Sequence, residues 1–145
     1  MKMSTKGRYG LRVMVELAAR HGEGPVMAER IASSQQLSAS YTHLLLGGLK
    51  SAGLVRSVRG PSGGYELSRP PARITALEAV AAVEADAPVE CVARPSSCSR
   101  APSCAARDLW CEVHLAVARV LGGVTLEQLA ARQRAKERPA PMFHI

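Results

Sequence analysis

The chain has 145 residues, enough for one domain with a real core or one small domain plus an accessory element. Apolar residues make up 47% and aromatics only 3%, so the core must be aliphatic, and a formal charge of +7 suggests a polyanionic partner. No stretch reads as a signal peptide or membrane span, which sets the expectation of a cytoplasmic protein with no membrane partner. The four histidines (21, 43, 114 and 144) are not spaced as a metal or catalytic set. With no nucleophile–base pair or phosphate-binding loop either, neither an enzyme nor a small-molecule substrate is expected.

The charge is uneven. Residues 1–60 carry net +6, residues 61–90 net −3 and residues 91–145 net +4, so the N-terminal part is the better candidate for meeting phosphates. Residues 5–20 read as a helix, with Leu11, Met14, Val15 and Ala18 on one stripe and Gly22, Gly24 and Pro25 as its stop. Residues 27–33 read as a short helix with Ile31 and Ala32 inward. Gln35-Gln36-Leu37-Ser38 turns the chain, and Ser38 is the expected N-cap of a third helix over 39–51, with Tyr41, Leu44, Leu45 and Leu49 apolar. Gly47 and Gly48 lie inside that helix at a cost of about 1 kcal/mol each against alanine, so close packing or bending is expected there.

Residues 54–67 read as a β-hairpin, with Leu54 to Val58 and Tyr65 to Leu67 as strands around Gly60-Pro61-Ser62-Gly63-Gly64. Three short helices and a basic hairpin make a winged helix-turn-helix over residues 1–70. Its partner would be double-stranded operator DNA. Ser38, Ser40, Tyr41, Thr42 and His43, at the start of the third helix, are the residues expected to meet base edges and phosphates. Arg56 and Arg59, carried on the hairpin tip with Gly60, can reach a narrow minor groove.

Residues 74–85 read as the next helix, opened by a capping box from Thr75 to Glu78, and Pro88 breaks the chain. A long helix from Cys104 to about Leu121 carries Trp110, Val113, Val117, Val120 and Leu121 as one apolar stripe and Leu109, Cys111, Leu115 and Ala118 as another. That is more apolar surface than a small winged domain needs, and self-association into a homodimer is the natural use. Thr125 to Gln128 is a second capping box, opening a last short helix; residues 133–145 read as a flexible tail. The expected fold is mainly α with a small β-hairpin wing, residues 71–132 holding the cysteine loop and dimerisation helices.

All four cysteines fall between Cys91 and Cys111, at gaps of six, five and six residues. Such clustering implies a shared task for the sulfurs, because cysteines used as small core residues would be scattered. Ser103 is the expected cap of the long helix, which would place Cys104 at the positive end of its dipole. Arg94, Arg100 and Arg107 are interleaved and no acid lies between Cys91 and Arg107, an environment that favours thiolates. Three readings follow: an iron–sulfur cluster, a structural zinc site whose usual short gaps are missing, or a thiol switch. A cluster carrier or electron-transfer protein is a further alternative, against which the arginine-bearing wing argues.

The segment Gly53-Leu-Val-Arg-Ser-Val-Arg-Gly-Pro-Ser-Gly-Gly-Tyr65 resembles the wing of the Rrf-two family of bacterial transcriptional regulators almost residue for residue. Ser4-Thr-Lys-Gly-Arg-Tyr9 and Leu37-Ser-Ala-Ser-Tyr41 are similar to the same family. Cys91, Cys98 and Cys104, followed by Leu109-Trp110, resemble its IscR- and NsrR-like cluster-binding members. The resemblance implies a homodimeric repressor or activator, Arg59 in the minor groove, and Ser38, Ser40, Tyr41 and His43 toward DNA. It implies an iron–sulfur cluster, 2Fe-2S or 4Fe-4S, on Cys91, Cys98 and Cys104. The resemblance places the fourth ligand where Arg107 or Arg8 stands here, and arginine serves neither role; Asp108 and Cys111 are the candidates in their place, with Cys111, about 10 Å along the helix from Cys104, read rather as a core residue.

Overall fold

A computed structural model of the chain describes residues 3–84 and 89–142. Helix α1 spans Thr5–Ala19, α2 Ala28–Gln35 and α3 Ala39–Ser51; strands β1 (Val55–Val58) and β2 (Gly64–Leu67) follow. After them come α4 (Ala76–Ala81), α5 (Glu90–Ala93), α6 (Ala105–Gly122) and α7 (Leu126–Glu137). This is the mainly helical, winged architecture expected. Among the described residues no helix is long and apolar enough to cross a membrane.

Local chemistry sets the helix starts. Ser4 caps α1, its hydroxyl accepting from the Gly7 N–H at 2.9 Å. Ser38 caps α3 in the same way through the Tyr41 N–H at 3.1 Å. Thr75 with Glu78 and Thr125 with Gln128 both close capping boxes. The two boxes sit side by side: Thr75 and Thr125 pair as an antiparallel bridge, and the Ala76 N–H donates to the Val124 carbonyl at 2.8 Å. Gln36 ends α2 in the left-handed region at φ 56°, a position glycine more often takes.

One aliphatic core runs through the molecule. Val13, Met14 and Leu17 of α1 meet Ile31, Leu45, Leu46 and Leu49, then Leu54, Val55 and Leu67 of the hairpin. Ile74, Ala79, Leu126 and Ala130 belong to the same cluster, so packing is continuous across residue 70. On α1 the buried line is Val13, Met14, Leu17 and Ala18; Leu11 and Val15 of the expected stripe are only half-buried. The shift follows from Gly10, whose bare face lets Val83 approach; a Cβ there would stand 2.6 Å from Val83 Cγ2.

Other expectations need correction. In α3 the buried residues are Thr42, Leu45, Leu46 and Leu49, whereas Leu44 is 55% exposed. The close packing expected at Gly47 and Gly48 exists only at Gly48, beside Val83. Along β1 only Val55 is buried, so the strand does not alternate. The helix expected over 74–85 is α4 alone; its expected end at residue 85 and the break at Pro88 lie outside the described residues. Helix α7 runs five residues beyond 132, where the tail was expected, because Ala, Gln, Arg, Lys and Glu are all good helix formers.

Candidate nucleic-acid interface and cysteine segment

The third helix presents Ser38, Ser40 and His43 to solvent at its N-terminal end. The Ser38 hydroxyl is engaged as the cap, and its carbonyl accepts from Thr42 Oγ1 at 2.9 Å, which satisfies that buried hydroxyl. Thr42 is thus a core residue and does not face outward as expected. His43 Nε2 lies 3.9 Å from a Glu29 carboxylate oxygen on α2, with both side chains largely exposed. Tyr41 is half-buried, edge-to-face on Tyr9 of α1 with ring centroids 6.1 Å apart. Arg12 lies over the Tyr9 ring at 4.9 Å and donates to the Gln35 carbonyl at 2.8 Å. These contacts lock α1, α2 and α3 into one body and leave Tyr41 able to offer only its outer edge.

The wing separates the two arginines that the sequence places together. Strand pairing puts Arg56 opposite Glu66, and its Nε meets that carboxylate at 2.8 Å. Arg56 is therefore a strand residue with a partner, not part of the tip. Arg59 follows the strand, is exposed, and forms no ion pair among the described residues; Gly60 beside it sits at φ 114°. Two further ties aim the wing. Lys50 Nζ on α3 donates to Ser57 Oγ at 3.0 Å. Val26 and Tyr65 exchange two backbone hydrogen bonds, each 2.8 Å, across an isolated bridge.

The cysteine segment is a chain of short helical turns where the sequence suggests a plain loop. Cys91 lies in α5, Cys98 follows a 3-10 turn at Pro95–Ser97, and another turn at Ala101–Ser103 leads to Cys104. Ser103 does not cap α6. Its hydroxyl is directed at the Arg100 carbonyl, and Cys104 itself occupies the cap position with extended backbone and no side-chain cap bond. Proline at 102 holds residue 103 in the preceding turn and moves the helix start on by one. All four cysteines are unpaired and half-buried.

Arg107, expected as one of the cations favouring thiolates, has a structural task as well. Its Nε donates to the Cys91 carbonyl at 2.9 Å, joining α6 to a residue 16 positions earlier. Asp108 is exposed one turn into α6, and Cys111 is half-buried further along. Glu84, shortly after α4, accepts from the Ser4 N–H at 2.8 Å and so ties the end of that helix to the start of α1. Among the described residues no three His, Cys, Asp or Glu side chains are gathered as a metal-holding group. The donor set fits a thiophilic metal in kind, with free thiols and no acid from Cys91 to Arg107, although its members are not brought together.

Of the expected dimer stripe, Val113, Val117 and Leu121 are half-buried, Trp110 is 39% exposed and Val120 is 64% exposed. Leu109 and Leu115 of the second set are also open, and α6 has no fully buried residue. Leu44, exposed on α3, was missed as a surface residue, because periodicity cannot tell which leucine of a Leu44-Leu45-Leu46 run faces inward.

A family described as Rrf2, iron-dependent transcriptional regulator, matches residues 3–132. The chain belongs to the Rrf2 family. Like other Rrf2 members it is a DNA-binding transcriptional regulator. It is 43% identical over 145 residues to the HTH-type transcriptional regulator CymR of Bacillus subtilis, covering the whole of both chains. It is 35% identical over 133 residues to IscR of Xenorhabdus nematophila, covering 92% of this chain and 81% of that one. Solved structures agree. The structure of CymR (YrzC), the global cysteine regulator of B. subtilis, superposes with a TM-score of 0.74 at 43% identity over 91% of this chain and 98% of the other. The T. potens IscR structure does so with 0.77 at 33% identity, over 99% and 97%.

Proposed function

We propose that this Rrf2 regulator acts in the cytoplasm as a homodimer, most simply as a repressor, and that residues 91–111 are its sensor. Paired α6 helices would hold the two winged domains so that their α3 helices enter successive major grooves, about 34 Å apart. Ser38, Ser40, Tyr41 and His43 approach the operator from α3, while Arg59 and Gly60 approach from the wing. Arg56 contributes less, because Glu66 already neutralises it.

Cys91, Cys98 and Cys104 would hold an iron–sulfur cluster, with Asp108 or Cys111 completing the set. Such a cluster would supply a crosslink sensitive to iron, oxidants and nitric oxide. The observation that carries this reading is that every thiol of the chain is free and half-buried within residues 91–111, with no acid between Cys91 and Arg107. The chain's own residues provide the relay. Arg107 sets the spacing of α5 to α6, α6 packs on α4, and α4 packs on α1, which in turn packs on α3.

A second reading is a thiol or zinc regulator without a cluster. The Arg107 tie favours it, since the segment is already fastened where cluster-binding relatives would place a ligand. The ungathered donors and the 43% identity to a protein described as a global cysteine regulator also favour it. Anaerobic purification with iron, acid-labile sulfide and visible spectra separates the two. Matching iron and sulfide with visible absorption, lost in Cys98→Ala, supports the cluster. Colourless protein that resists reconstitution overturns it in favour of the thiol or zinc sensor.

A further inference from the structure

Helix α3 divides sharply by burial. Thr42, Leu45, Leu46 and Leu49 are buried, while Ser40, His43, Leu44, Gly47 and Lys50 lie exposed at helical spacing on the other face. Three of these five are polar and Gly47 is bare. Leu44 alone offers an apolar side chain, and it is 55% open. A leucine carried into the major groove finds its one apolar partner among the base edges. Adenine, guanine and cytosine present donors and acceptors there, and a leucine pressed on them removes water without replacing its hydrogen bond. Thymine adds a methyl group. At Gly47, one turn along, a Cβ would have nothing of the chain within 4 Å, so no internal contact requires a glycine there. The bare surface lets the helix backbone sit close to DNA, as a contact through Leu44 needs.

We infer that Leu44 is a specificity-determining residue that reads a thymine methyl group in each half-site of the operator. The inference rests on the operator-binding role proposed for α3. The test uses the full chain to select duplexes from a randomised DNA library at physiological salt. Each thymine of the selected half-site is then replaced by deoxyuridine, which deletes only the methyl group.

One thymine per half-site is expected to lose about fourfold in wild-type affinity on this change, the worth of one buried methyl-sized group. Leu44→Ala should bind the parent and uridine duplexes equally, with its thermal unfolding unchanged. Uridine tolerated at every thymine by the wild type, or the same loss in Leu44→Ala, overturns the assignment to Leu44 while operator binding stands. A library yielding no sequence above non-specific binding overturns both.

Discussion

Gly64 is the residue on which the aim of the wing depends, and replacing it with alanine tests that directly. Its φ is 153°, and a Cβ built there would stand 2.5 Å from the Val26 carbonyl carbon and 2.8 Å from the Met27 nitrogen. Those atoms are backbone and cannot swing aside. The strand would have to withdraw, and the paired Val26–Tyr65 hydrogen bonds would break. Two such bonds are worth about 0.5–1.5 kcal/mol each, and a strained non-glycine conformation adds roughly 1–3 kcal/mol. Reduced freedom of the unfolded chain returns about 0.4–1 kcal/mol. Gly64→Ala should therefore lose about 1–5 kcal/mol. Gly60→Ala, at φ 114° with nothing within 4 Å, should lose only the strain. Urea unfolding of both variants gives the comparison, and fluorescence anisotropy with a DNA duplex reports wing placement. Equal losses in the two variants would refute the close-approach argument. Full DNA affinity in Gly64→Ala would refute the claim that this bridge aims the wing.

The other predictions concern single side chains. Arg59→Ala should weaken DNA binding and lower the salt slope by about one per half-site, whereas Arg56→Ala, whose charge Glu66 already pairs, should change it little; titrations across a range of salt decide this. Arg107→Ala should release the cysteine segment, seen as several-fold faster alkylation of Cys91 with only about 1 kcal/mol lost in overall stability. An unchanged alkylation rate would mean the tie does not hold the segment. Glu78 is held below the ordinary glutamate range, chiefly by the Arg69 side chain and then by the Thr75 N–H. Since the folded pKa is the lower one, its contribution is complete above the ordinary glutamate pKa and is lost as pH falls through the folded value. Glu78→Gln should flatten that part of the acid limb by less than about 1 kcal/mol, the pair being partly open to solvent.

Features governed by residues three or four apart were legible in the sequence. Ser38, Thr75 with Glu78, and Thr125 with Gln128 cap helices as expected, because a cap depends on near neighbours alone. What depends on distant partners was not. Arg56 looked like a tip residue until strand register set it opposite Glu66. The Arg107 bond to the Cys91 carbonyl spans 16 residues and leaves no periodic trace. In the Leu44-Leu45-Leu46 run, α1 and α2 chose which two turn inward, and Thr42 joined the core by bonding its hydroxyl to the Ser38 carbonyl. One cap was misplaced for a local reason: Ser103 closes the Ala101–Ser103 turn, so Cys104 takes the cap position of α6 instead.

Helix α6 has 18 residues and no fully buried side chain, with Leu109, Leu115 and Val120 each more than half open. Such a helix is packed on one side only, and an isolated subunit would keep it with little reserve. In the proposed homodimer the missing side is a second copy, so folding of the sensor segment and pairing of subunits draw on the same free energy. Apparent stability would then rise with protein concentration. The supply of DNA-competent regulator would vary more steeply than the number of chains, so the amount of protein in the cell becomes an input alongside whatever the cysteines detect.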